Sequence, residues 1–173
     1  CITLDVEWAH PAVLDDVVGE LNSRGIRATF FCTHEGIELP GHERAIHPNF
    51  RRSGDALRRL KQEEGSRFRD LSDLEIYQYV VESTHAWCPE AIGVRPHSLF
   101  YDSDLLPIYR NKGLEYNSAY LCPLKPDLSP ILKEQDILEM PIYYMDHVDL
   151  ITQATGCRIE KLLLDSPGMK IFD

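Results

Sequence analysis

With 173 residues, 43% of them hydrophobic and 27% charged, the chain is long enough for one domain with its own core and has an ordinary globular composition. A formal net charge of −10, with acids spread along the sequence, excludes sequence-independent binding to nucleic acid or an anionic membrane, which needs clustered Lys and Arg. No apolar run reaches transmembrane length, no basic-then-apolar leader precedes it, and the five cysteines form no CxxC pair, so a soluble, cytoplasmic protein without a disulfide scaffold is expected.

CITLDV predicts a buried strand, and Ala9 to Arg24 a helix: Pro11 suits its first turn, Val13, Leu14, Val17, Val18 and Leu21 form one face, and Gly25 stops it. Ile26 to Thr33 is the next strand, which completes a parallel crossover unit. A third strand runs into AIHPNF, residues 45 to 50, where Pro48 has no N–H to continue a ladder and holds the residue before it extended. His47 is therefore presented at a strand's end. The charged segment from Arg51 to Arg69 reads as a loop with at most a short helix. Ser72 and Glu75 then form a capping box, with Leu71 and Ile76 as a staple, for a helix over Leu71 to Cys88.

AIGVRPHSL gives a fourth strand ending in Arg95 and His97. A short helix near Ser103 to Lys112, a strand near Tyr116 to Leu121, a Pro-rich loop, a strand over Ile137 to Tyr144 and a last helix near Gly156 to Leu164 follow. The alternation argues an α/β sheet or barrel with parallel neighbours, in which the carboxyl ends of the strands converge on one rim. The chain opens inside an apolar alternation at Cys1 and closes on Lys170-Ile171-Phe172-Asp173. It thus reads as a single domain, 1–173, trimmed at both ends.

Three strand ends carry polar groups of interest. Asp5 and Glu7, two apart on an extended chain, point the same way and make a carboxylate pair. The second end offers His47 and the third Arg95 and His97. An oxygen ligand plus two imidazoles, with a position left for water, is the pattern of catalytic zinc and related divalent metals, and a second carboxylate can take the water's proton. Such a site hydrolyses an amide or ester. His34 is a reserve ligand. Trp8, Phe50, Tyr101 and Tyr144 offer stacking surface for a sugar, and Asp146 or His147 can line the site.

LDVEW, RATFFCT, a Gly-His-Glu turn running into AIHPNF, and GVRPHSL together resemble the polysaccharide deacetylases with a NodB-homology domain (carbohydrate esterase family 4), in the same order and at comparable spacing. The resemblance implies a distorted, incomplete (β/α) barrel of mostly parallel strands and metal-dependent removal of N-acetyl groups from a sugar or polysaccharide precursor. It implies Asp5 as general base and Arg95 as its partner. Val6 stands where the family has its second aspartate and Arg51 where it has a second histidine, so the expected ligand set is Glu7, or Asp5 in its place, with His47 and His97 around a divalent ion, most simply zinc.

Trp8, Asn49, Tyr101 and Asp146 are the expected substrate contacts, and the family's histidine acid is expected just past Asp173. The departures are similar to those of a divergent branch found among surface-polysaccharide biosynthesis proteins. A carbohydrate-binding relative with a decayed metal site, or a hydrolase of a non-sugar amide, are the competing readings.

Overall fold

The computed structural model describes residues 1–173. Seven strands form one sheet: β1 (Ile2–Asp5), β2 (Ala28–Cys32), β3 (Glu43–Ile46), β4 (Gly93–Val94), β5 (Tyr116–Asn117), β6 (Ile131–Leu132) and β7 (Leu138–Glu139). Their order is β1-β2-β3-β4-β5-β7-β6, every pairing being parallel except that of β6 with β7. Between them come α1 (Pro11–Ser23), α2 (Asp55–Glu64), α3 (Asp73–His85), α4 (Leu105–Asn111) and, after β7, α5 (Asp146–Thr152). This is the expected incomplete barrel. The sheet is open, and residues 171–173 span the gap through single parallel bridges, Phe172 meeting Ile2 on one side and Tyr144 on the other.

The alternation of β2 shows how the barrel is filled. Phe30 and Cys32 join the core shared with α1, α3 and α4, together with Val18, Val81 and Tyr109, whereas Phe31 faces the interior beneath the Arg95 guanidinium at 4.2 Å. β4 has a glycine for a steric reason: a Cβ at Gly93 would lie 2.0 Å from the Tyr116 ring.

The largest departures from the sequence reading are in two segments. Arg51 to Arg69 holds the ten-residue helix α2, whose Ala56, Leu57 and Leu60 pack on Val80 of α3, so three apolar residues at helical spacing suffice despite the charged surroundings. The helix expected over Gly156 to Leu164 is only a single 3-10 turn at Ile159–Lys161, and the α-helix there comes earlier, as α5. The buried carboxylate of Asp149 explains it: it accepts from the N–H groups of Thr155 and Cys157 and from the Thr155 and Tyr144 hydroxyls, which folds the chain back over α5. The capping box of α3 forms as expected. All five cysteines are free.

Candidate metal centre

The backbone that brings the site together is the continuation of the ladders past the formal strand ends. His47 donates its N–H to Cys32 O, while Ile46 O and Pro48 O accept from the N–H groups of Arg95 and His97 at 3.0 and 2.9 Å. Pro48 accepts on the β4 side and can donate nothing there, so the ladder stops with His47 and His97 side by side. Their rings meet edge to face at 5.5 Å.

The two acids reach this point differently from the extended presentation expected. β1 ends at Asp5, Val6 is buried, and Glu7 turns with a φ of 45°, its carbonyl held by the Thr33 hydroxyl. The outcome is that the acids face opposite nitrogens of one imidazole. Asp5 Oδ1 lies 3.6 Å from His47 Nδ1 and Glu7 Oε1 lies 3.8 Å from His47 Nε2; Glu7 Oε1 is also 3.0 Å from His97 Nδ1. One donor atom each from Glu7, His47 and His97 can be chosen within 4.8 Å of one another. His34 turns instead to the Thr33 hydroxyl, 2.9 Å away.

Three features fit a cation at this point. His47 is 2% exposed, yet both its ring nitrogens lack a hydrogen-bond partner, an arrangement that leaves buried polar atoms unpaired unless a ligand completes it. Arg95 pairs with the carboxylates of Asp5 and Asp173, while that of Glu7 has no guanidinium or ammonium beside it and faces only the imidazoles of His47 and His97. Finally, Glu7 and His97 are both shifted toward the forms that bind a metal. His47 has the largest influence in holding the Glu7 carboxyl below the usual range, across a separation too long for a hydrogen bond, and burial followed by the charge of His47 pushes His97 down.

Behind the acids lies a buried polar group centred on Arg95, which is 0% exposed. Nε donates to Ser118 O at 3.2 Å, Nη2 to Thr3 Oγ1 and Ser118 Oγ at 2.9 and 3.1 Å, and Nη1 to Asp5 Oδ1 at 3.0 Å and to Asp173 Oδ1. Ser118 is itself fixed, its N–H donating to Val94 O and its hydroxyl to Met140 O, while buried Glu139 accepts from the N–H groups of Ala119 and Tyr120 just after it. Thr3, Ser118 and Asp173 escaped the sequence reading: in short strands, single polar residues look like the solvent-facing half of an alternation.

Asp173 gives this group a pH signature. Burial pushes its carboxyl up to about 6, with the Arg95 charge opposing and that of Asp5 adding. A carboxyl raised in the folded state favours folding fully only below its ordinary 3.8, and that contribution is lost as pH rises through about 6. The gap corresponds to roughly 3 kcal/mol. Urea unfolding of Asp173→Asn should therefore show the variant gaining stability relative to the wild type between pH 4 and pH 8. A difference that stays flat across that range would contradict the assignment.

The candidate substrate contacts are scattered around the rim. Trp8 is 62% exposed and meets the His97 ring edge to face at 5.8 Å. Trp8, His47 and Asn49 line one small cavity of about 20 Å³ with Asp55 and Trp87. Tyr101 is exposed four residues past His97, and Asp146 is exposed in the first turn of α5, where its N–H donates to Asp173 O. Phe50 is partly buried and its ring packs on Tyr77 and Phe100.

Among functionally curated proteins none matches the sequence. A crystallised protein from Bordetella bronchiseptica, assigned as a polysaccharide deacetylase involved in O-antigen biosynthesis, has the same fold: TM-score 0.79 at 23% identity, over 99% of this chain and 69% of that one. No helix is long and apolar enough to cross a membrane. The sequence model of the WbmS-like polysaccharide deacetylases matches residues 2–173, the whole of the fold just described, and the chain belongs to that family.

Proposed function

We propose that the protein is a metal-dependent hydrolase that removes an N-acetyl or similar acyl group from a sugar or polysaccharide precursor, with Glu7, His47 and His97 holding a divalent ion, most simply zinc. The observation that carries this reading is the buried, unpaired His47 imidazole set between two carboxylates and beside a second imidazole. An ion held by one carboxylate and two imidazoles supplies Lewis acidity toward the acyl carbonyl and lowers the pKa of water.

The chain's own groups do the rest. Arg95 neutralises and orients Asp5 through Oδ1, the oxygen that also faces His47, while Oδ2 accepts no hydrogen bond and is the one available to take a proton. Of the two ring nitrogens of His47, Nδ1 faces Asp5 and Nε2 faces Glu7, so Nε2 is the one that would hold the ion. Trp8 and Tyr101 give the rim apolar faces for a pyranose ring.

The test is the metal content of the full-length protein purified without chelator, together with acetate release from N-acetylated sugars. One equivalent of zinc and measurable release are expected. Asp5→Asn should keep the metal and lose about 10²–10⁴-fold in turnover, the usual contribution of a positioned general base. A protein that takes up no metal even from added zinc, yet binds sugar, would favour a carbohydrate-binding relative instead. Release from non-sugar amides alone would overturn the sugar assignment.

A further inference from the structure

Beyond the metal ligands, the rim carries a second ordered cluster. Lys133 Nζ donates to Tyr120 OH at 2.6 Å and lies over two aromatic rings, 4.2 Å from the Tyr120 centroid and 5.1 Å from that of Tyr101. The two tyrosine rings are tilted against each other at 5.4 Å. Lys133 makes no ion pair in a chain with ten more acids than basic residues, although Glu134 is its neighbour in sequence. An ammonium held by ring faces keeps its charge available, and one N–H spent on Tyr120 leaves two for a ligand.

Each member is fixed by its own piece of backbone. After His97 the chain reverses through two successive left-handed residues, Ser98 and Leu99 (φ 60° and 53°). That reversal sends Phe100 inward against Phe50 and Tyr77 and leaves Tyr101 40% exposed. Tyr120 is held by its N–H on the buried Glu139 carboxylate, and Lys133 by its N–H on Ile137 O across the β6–β7 hairpin. Tyr101 and Tyr120 leave the carboxyl ends of β4 and β5, the rim that also presents His97. Non-glycine residues in left-handed conformation cost energy, so the surrounding structure determines this reversal rather than chance.

We infer that Tyr101, Tyr120 and Lys133 form a saccharide subsite for a sugar carrying an oxyanion, either a phosphate ester or a ring carboxylate. The exposed face of Tyr101 stacks on the C–H face of a pyranose, and the Lys133 ammonium meets the anion as a point charge. This inference rests on the sugar reading of the metal centre and deepens it: the substrate is an anionic saccharide. The alternative role for the cluster, a strut between the hairpin and the His97 loop, needs the packing of the Lys133 stem and not its charge.

The experiment is calorimetric titration of the full-length protein with N-acetylglucosamine, N-acetylglucosamine 1-phosphate and glucuronic acid. At least one of the two anionic sugars is expected to bind tenfold or more tightly than the neutral one, and which of them it is identifies the phosphate or the carboxylate as the recognised group. Lys133→Met, which keeps the apolar stem, should abolish that preference with unchanged metal content and Tm, and Tyr101→Ala should weaken all bound sugars together. Equal binding of the three, or a preference that survives in Lys133→Met, would overturn the subsite. A Lys133-dependent preference in a protein that holds no metal would support the subsite while removing the deacetylase reading, so the two can fail separately.

Discussion

Replacing Arg95 with methionine is expected to destabilise the protein by about 3–5 kcal/mol, the range for removing one side of a buried charge pair. Methionine fills much of the same volume, so the loss is electrostatic. Asp5 and Asp173 are left without a cation, and Thr3, Ser118 O and Ser118 Oγ lose their donor. For a chain of this size the corresponding fall in Tm is roughly 10 °C. The penalty should be smaller at pH 5 than at pH 8, because Asp173 already takes up a proton near 6 with the arginine present and does so more readily without it. Adding Asp173→Asn to Arg95→Met should recover part of the loss. A Tm unchanged in the single variant would mean that the guanidinium is dispensable to the fold.

His47→Ala is expected to abolish metal retention while leaving a folded protein. Its ring nitrogens make no hydrogen bond, so truncation breaks none and leaves a small buried cavity costing about 1–3 kcal/mol. For the ion the effect is far larger, since one of the three proposed ligands goes and even outer-shell partners are typically worth about 10–100-fold in affinity. Acetate release should fall to background. His97→Ala should behave alike, whereas His34→Ala, whose imidazole turns to Thr33, should keep both metal and activity. Metal bound in equal amount by wild type and His47→Ala would remove His47 from the ligand set.

Much of this arrangement was legible because strands in a parallel sheet are written as apolar runs, and polar residues at their carboxyl ends stand out. His47 and Pro48 are the clearest case: the missing N–H of proline marks a ladder's end, and the structure stops β3 there. The pairing of Asp5 with Glu7 was legible only as proximity. Its geometry depends on the φ of 45° at Glu7, which a β-strand spacing does not predict. Asp149 illustrates what stays hidden, since an acid in an apolar-flanked segment gives no hint that it will take the N–H groups of residues 155 and 157 and bend the chain away from a helix. The edge pairing of β6 with β7 was missed for a related reason: two-residue strands carry no period.

The bridging segment 171–173 also bears on the order in which the molecule assembles. Its bonds to β1 join residues about 170 apart, and loop-closure entropy makes such contacts late relative to the local crossover units. A chain that has built β1 to β5 already gives Arg95 its bonds to Thr3, Asp5 and Ser118 but lacks the second of its carboxylates. Docking of 171–173 therefore bridges β1 to Tyr144 and completes the acid pair in a single event, which ties a late long-range step of folding to the integrity of the chemistry: a partly folded molecule with its early strands in place still has an unfinished site.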